Sequence, residues 1–149
     1  MKTLRFILGD QLNSNHSWFQ EVNDDVVYCM IELHQEMNYV KHHIQKVVGF
    51  ILAMRSFNKT LEEAGHQTIY KTLNDYDKKR SLQQLLESII TENNFEVFQY
   101  LEPDEYRLDK QLKDFSKQLS IKTKVFSTEH FYTDRTDFSD FFKNKKTFL

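Results

Sequence analysis

LRFILGDQL, residues Leu4–Leu12, is an apolar run that stops at a Gly9-Asp10 turn and then presents Asp10 and Gln11. A buried strand that delivers polar groups at its carboxyl end is how an open α/β sheet builds a binding crevice. The next apolar run, Asp25–Ile31, is nearly continuous in the same way, as expected for a parallel strand covered on both faces. Working outward, Gln67–Leu73, Phe95–Leu101 and Lys122–Phe126 read as three further strands.

Helical spacing fills the gaps after the second strand. Val40–Glu63 is the longest such segment; its VVGFILAM stretch, Val47–Met54, is apolar almost all round, which predicts a helix pressed between the sheet and a second surface. Gly65 supplies the stop. Arg80–Asn93 carries Leu82, Leu85, Leu86, Ile89 and Ile90 on one face. Asp104–Leu119 does the same through Leu108, Leu112, Phe115 and Leu119, with Pro103 suited to its first turn. A last short helix, Thr136–Lys143, gathers Phe138, Phe141 and Phe142, which serve either a core or a contact with a neighbour. Strands alternating with helices predict a parallel sheet with right-handed crossovers, a single Rossmann-like α/β three-layer sandwich.

Bulk properties narrow the function classes. A chain of 149 residues makes one domain, and 13 Phe, 7 Tyr and 1 Trp give it a core without covalent staples. A formal charge of −2 argues against a surface built to neutralise phosphates along nucleic acid. The KNKK cluster, Lys143–Lys146, reads as a solvated end or a phosphate contact. Cys29 is the single cysteine, which excludes an internal disulfide and a Cys-rich metal site in this segment. No apolar run reaches the ~18 residues of a membrane span, and the first one is too short for a signal peptide, so a cytoplasmic location is expected. The end, Thr136–Leu149, closes on NKKTFL with no terminator and reads as interrupted.

Three places offer chemistry. At Gly9-Asp10-Gln11 the glycine allows a close approach, while Asp10 serves either as a cap of the turn or as an exposed acceptor. No G-x-G-x-x-G and no P-loop lysine accompany it. Glu32–Lys46 concentrates Glu32, His34, Glu36, Tyr39, His42, His43 and Lys46. That spacing matches no named metal motif, and adjacent histidines point about 100° apart on a helix. It reads as a polar wall for a flat ligand or as a solvated loop. After the fourth strand comes Glu102-Pro103-Asp104-Glu105-Tyr106-Arg107. If the first and fourth strands are neighbours, a crevice opens between them with Asp10, Glu102 and Arg107 at its mouth. Arg55 falls on an otherwise apolar helical line through Ile44, Val48 and Ile51, where it snorkels or pairs with a carboxylate. No nucleophile–base pair stands out.

ILGDQL at Ile7–Leu12, EMNYVKHHIQK at Glu36–Lys46, AMRSF at Ala53–Phe57, LEPDEYRL at Leu101–Leu108 and KKTFL at Lys145–Leu149 together resemble, in order and spacing, the N-terminal part of the deoxyribodipyrimidine photolyase-related proteins. These are the bacterial iron–sulfur photolyases and cryptochromes, including prokaryotic (6-4) photolyases. The resemblance implies a sheet of order 3-2-1-4-5 in an N-terminal antenna domain, residues 1–149, that holds 6,7-dimethyl-8-ribityllumazine. It further implies a helical C-terminal domain, absent from this chain, that binds FAD, a 4Fe–4S cluster and damaged DNA. Carried over by position, Gly9, Asp10 and Glu36 fall in the antenna pocket, with Glu36 the polar contact to the ring; Tyr39, His43 and Lys46 share that motif. Gln11 and Glu102 complete the candidate cofactor-binding set. Two departures stand out: Tyr106 occupies a position where relatives often carry Trp, and His34-Gln35 replaces smaller residues, which predicts a narrower pocket.

The expected function is therefore that of an antenna-binding domain of a light-dependent DNA-repair flavoprotein, silent by itself. Two rivals are a stand-alone Rossmann-like nucleotide- or flavin-type ligand module and a structural domain with an empty crevice. The expected partners are the chain's own FAD domain, damaged DNA through the whole protein, no membrane, and self-association through the Phe138/Phe141/Phe142 end.

Overall fold

The computed structural model describes residues 1–38, 43–133 and 135–143, with the side chains of Asn38, Arg135 and Phe138 also left aside. Tyr39, His42, Phe138 as a packing group and the KKTFL end lie outside the described residues.

Five strands form one sheet: β1 (Thr3–Phe6), β2 (Val26–Ile31), β3 (Gln67–Lys71), β4 (Val97–Leu101) and β5 (Lys122–Phe126). Their order is β3-β2-β1-β4-β5 and every pairing is parallel. Five helices accompany them: α1 (His34–Asn38), α2 (Ile44–Glu63), α3 (Leu82–Glu92), α4 (Tyr106–Gln118) and α5 (Arg135–Phe142). The architecture is Rossmann-like. Between β1 and β2 the crossover holds only a 3-10 turn at Ser17–Phe19, because Asn13–Asn15 and Asn23–Asp25 favour turns over a continuous helix.

Side chains alternate across the strands and sort into two apolar layers. Leu4, Phe6, Val27, Cys29, Ile31, Phe98 and Tyr100 pack on one face against Leu85, Leu86 and Ile89 of α3 and Leu108, Leu112 and Phe115 of α4. On the other face Val26, Tyr28, Met30, Leu101 and Trp18 meet Met54, Phe57 and Leu61 of α2. β2 is buried along its whole length, as its unbroken VVYCMI run requires. β5, at the edge, is largely exposed and carries Lys122 and Lys124, the charges that blunt an open strand edge.

Local chemistry sets the helix ends. Ser81 and Gln84 form a reciprocal capping box on α3. Glu105 caps α4, accepting from the Arg107 and Leu108 amides, so the helix starts at Tyr106 and Pro103 lies ahead of the cap rather than in the first turn. Gly65, at φ +91°, terminates α2 in a conformation that glycine adopts without strain. The long helix starts later than its apolar pattern suggests: the His43 ring accepts from the Gln45 amide as the N-cap. Its first half is not sandwiched. Ile44, Val48 and Leu52 are exposed, and only Met54, Phe57, Asn58 and Leu61 are buried. Phe141 is likewise exposed and meets Phe142 edge-on at 4.9 Å.

Cys29 is fully buried in β2, and burial pushes its thiol up to about 12. At pH 8 a thiol reagent is therefore expected to label it only at the rate of unfolding. Labelling of the native protein as fast as a free thiol would contradict this packing. Among the described residues no helix is long and apolar enough to cross a membrane.

Candidate functional site: a cleft at the strand ends

The connections of β1 and β4 leave the sheet in opposite directions, and loops diverge where their carboxyl ends meet. Beside that point lies a cavity of about 430 Å³, lined by five segments of the chain. Leu8, Gly9 and Asp10 follow β1; Ile31 and Leu33 end β2. Glu36 and Met37 come from α1, and Lys46, Val47, Phe50 and Met54 from the first half of α2. Glu105 and Leu108 close it at the start of α4. The described lining is mostly apolar, with Asp10, Glu36, Lys46 and Glu105 as its charged members, which is the ordinary build of a small-molecule slot.

Gly9 is there because nothing larger fits. A Cβ on it would lie 2.5 Å from Cζ of Phe50 and 2.7 Å from Sδ of Met54. The turn after β1 thus presses backbone directly onto α2 and shapes the cavity's end.

Glu36 does not stand alone at the rim. Its Oε1 accepts from Nη2 of Arg107 at 2.7 Å and from the Gln35 side-chain amide at 3.3 Å. Arg107 also approaches Glu105 at 3.4 Å. The guanidinium therefore joins α1 to the cap of α4 and holds the Glu36 carboxylate in place. Partial burial pushes the Asp10 carboxyl above its usual range, and the neighbouring Asp104 and Glu36 carboxylates add to this. The carboxylates of Asp10, Glu36 and Glu105 accept hydrogen bonds from N–H and O–H groups, and Lys46 is the cation among the described lining residues.

Four candidate residues thus line the cavity: Gly9, Asp10, Glu36 and Lys46. Gln11 does not. It is buried, its Oε1 accepting from the Leu8 amide at 3.0 Å while Nε2 donates to the Leu101 and Glu102 carbonyls at 3.3 and 3.2 Å. Gln11 ties the ends of β1 and β4 together, so its polar atoms are spent inside the fold. Glu102 is part of the same tie, its amide donating to the Phe126 carbonyl at 2.8 Å, and Glu105 takes the place at the mouth expected for it. His43 is spent as the α2 cap. The bulk of His34 and Gln35 does not narrow the cavity: His34 turns to the Leu73 carbonyl and the Tyr76 ring, and Gln35 reaches Gln111. Among the described residues no three His, Cys, Asp or Glu side chains gather as a metal site.

Phe50, Met54, Met37 and Leu108 line the cavity without being among the candidate residues; the all-round apolar Val47–Met54 is the signal that points to the first two. Glu32, which the sequence places in a polar wall or a solvated loop, is neither. Its side chain is 0% exposed and accepts from Arg55 at 2.7 and 3.2 Å, from the Tyr70 hydroxyl at 2.9 Å and from the Leu73 amide at 3.0 Å. Burial pushes this carboxyl up, but the donors together outweigh it and hold it below the ordinary value. Arg55 pairs rather than snorkels, and Glu32 is an internal strut behind the cleft rather than part of its wall.

An all-parallel sheet of this order, with an apolar slot and a carboxylate rim at its strand ends, defines a Rossmann-like α/β domain with a strand-end cleft. A profile of the deoxyribodipyrimidine photo-lyase-related proteins matches residues 5–149. The chain belongs to that family. It is also 27% identical over 150 residues to a (6-4) photolyase of Agrobacterium fabrum, an alignment covering 99% of this chain and 29% of that protein. The chain thus spans less than a third of the relative's length.

Proposed function

We propose that the cleft holds a planar, hydroxyl-bearing chromophore of the lumazine class and that the domain acts as the light-gathering part of a photolyase-related DNA-repair flavoprotein. One observation carries this reading: a single apolar slot is rimmed by Asp10, Glu36 and Glu105, acceptors for the N–H edge of a heterocycle and the hydroxyls of a ribityl chain. Bound there, 6,7-dimethyl-8-ribityllumazine would supply light absorption and excitation transfer. The chain's own residues fix the dye's position and exclude water from its ring face; Phe50 and Leu108 do the second, the Glu36–Arg107 pair the first.

The other groups of the family do not fit here. One buried cysteine cannot furnish the cysteines of a 4Fe–4S cluster, and among the described residues nothing around the cleft is a cradle for the pyrophosphate of FAD. Flavin chemistry and contact with damaged DNA are assigned to a helical region outside these residues, and the domain alone is expected to leave ultraviolet-damaged DNA unrepaired in light.

Titration with free lumazine, followed by the dye's absorption and fluorescence, tests the reading. The expected result is saturable binding that Glu36→Ala weakens by about tenfold or more, since a charge-assisted contact is lost. The partly exposed Glu36–Arg107 pair contributes about 1 kcal/mol or less to folding, so denaturation of the variant stays near native. Unchanged dye affinity in Glu36→Ala would place the slot elsewhere. Stabilisation by adenine nucleotides instead of lumazine would favour a nucleotide module.

A further inference from the structure

A second feature lies on the α2 face of the sheet, over the half that α2 leaves bare. The pairings put Tyr28, Arg5, Gln99 and Lys124 in one row across β2, β1, β4 and β5, and Val26, Thr3, Val97 and Lys122 in the next. Partnered residues of parallel strands point to the same face, and rows two residues apart are about 6.6 Å from each other. All of these but Tyr28 line an open trough of about 690 Å³, with Asp25 and the N-terminal Met1 at its side.

Arg5 is the unusual member. It is half-buried in the middle strand, its guanidinium stacked over Trp18 at 4.8 Å and near Tyr28 at 5.7 Å. Nε donates to Gln99 Oε1 at 3.0 Å, and Nη1 donates to the Tyr28 hydroxyl at 3.0 Å and the Trp18 carbonyl at 3.4 Å. All of these acceptors are neutral. Nη2 has no acceptor and the guanidinium no carboxylate partner among the described residues. The nearby acid, Asp25, is bonded to the N-terminal ammonium at 3.2 Å. Lys122 and Lys124 are exposed and form no ion pair among the described residues, so the trough carries an excess of positive charge.

A half-buried cation held rigidly by neutral groups is costly unless a counter-charge completes it. Nε and both N–H groups of Nη1 are spent on neutral acceptors, so the two N–H groups of Nη2 are what the cation has left to donate to an oxyanion. The geometry points to an oxyanion site in this trough, with Arg5 as the anchor, Lys122 and Lys124 as the flanking charges, and a phosphate group as the ligand. It is independent of the cleft, with which it shares no lining residue.

Trp18 is the only tryptophan of the chain and lies under the Arg5 guanidinium, so its emission reports occupancy. Inorganic phosphate, titrated at ionic strength held constant with chloride, is expected to change that emission saturably. Arg5→Gln should weaken the response about tenfold and Lys124→Gln about threefold, as expected for losing an anchoring and a flanking charge. A parallel titration with adenosine 5′-monophosphate identifies the source: tighter binding than phosphate assigns the site to a phosphate ester, equal binding to the free anion. Should Arg5→Gln fail to fold, Lys124→Gln, altered only at an exposed position, still decides, and its lumazine affinity should stay native. No saturable response to either ligand, or a response that Lys124→Gln leaves untouched, would overturn the proposal.

Discussion

Replacing Glu32 by alanine is expected to destabilise the domain by about 2–4 kcal/mol, the largest single loss outside the apolar core. The substitution strands the Tyr70 hydroxyl and the Leu73 amide, both of which donate to this buried carboxylate, and leaves a void beneath them. The main-chain ties of residue 32 survive the substitution, its amide donating to the Lys71 carbonyl and its carbonyl accepting from the Tyr76 hydroxyl, so the loss comes from the side-chain bonds. The Arg55 side chain is 52% exposed and regains water, so its half of the ion pair adds little to the loss. Urea denaturation at pH 7 measures the effect, and a shift below about 0.5 kcal/mol would show that the strut is ornamental.

The same carboxyl has a definite pH signature. Its folded value is held below that of the unfolded chain, so its contribution is complete above about pH 4.3 and fades as pH falls through the folded value. Glu32→Gln removes that titration. The variant should be less stable than native at pH 7, and the two stability curves should converge below about pH 4. Parallel curves through this window would assign the acid sensitivity to other groups.

Gly9→Ala is expected to combine the greatest loss of ligand binding with a fold cost of about 1–3 kcal/mol, typical of an overpacked contact. The new methyl group would sit 2.5 Å from the Phe50 ring and 2.7 Å from the Met54 sulfur. Met54 is buried and has little room to retreat, whereas Phe50 is only partly buried and borders the cavity, so its ring moves into the slot. Lumazine affinity should drop more than tenfold. Phe50→Leu in the same chain removes the clashing ring atoms and should recover part of the lost stability, a coupling that a double-mutant cycle reads directly. Additive effects of the two substitutions would mean that Gly9 and Phe50 do not meet.

The sheet is legible because VVYCMI is apolar on both faces and the strand runs alternate with amphipathic helices. Lys122–Phe126 was placed to the residue even though it is an edge strand. Boundaries slipped where polar caps outrank apolar spacing: His43 starts α2 four residues inside the predicted segment, and Glu105 starts α4 beyond Pro103. The short α1 went unseen because HQEMN is too brief to show a helical period. In the cleft, Gly9, Asp10, Glu36 and Lys46 were named from adjacency to strand ends and from resemblance, and they do share one lining. Gln11, by the same reasoning, was placed with them, yet its amide crosses to the β4 end and is consumed there.

Periodicity, turn residues and the run of β-formers belong to the chain itself, so the order of elements, the parallel sheet and the location of its polar edge were set by the sequence alone. Which polar side chain faces a ligand and which is spent as a strut depends on partners tens of residues away. Glu36 meets Arg107, Glu32 meets Arg55 and Tyr70, and Arg5 meets Gln99 and Tyr28. A carboxylate or guanidinium looks the same in any of these settings until the fold supplies or withholds its counter-charge, and only the tertiary structure makes that choice.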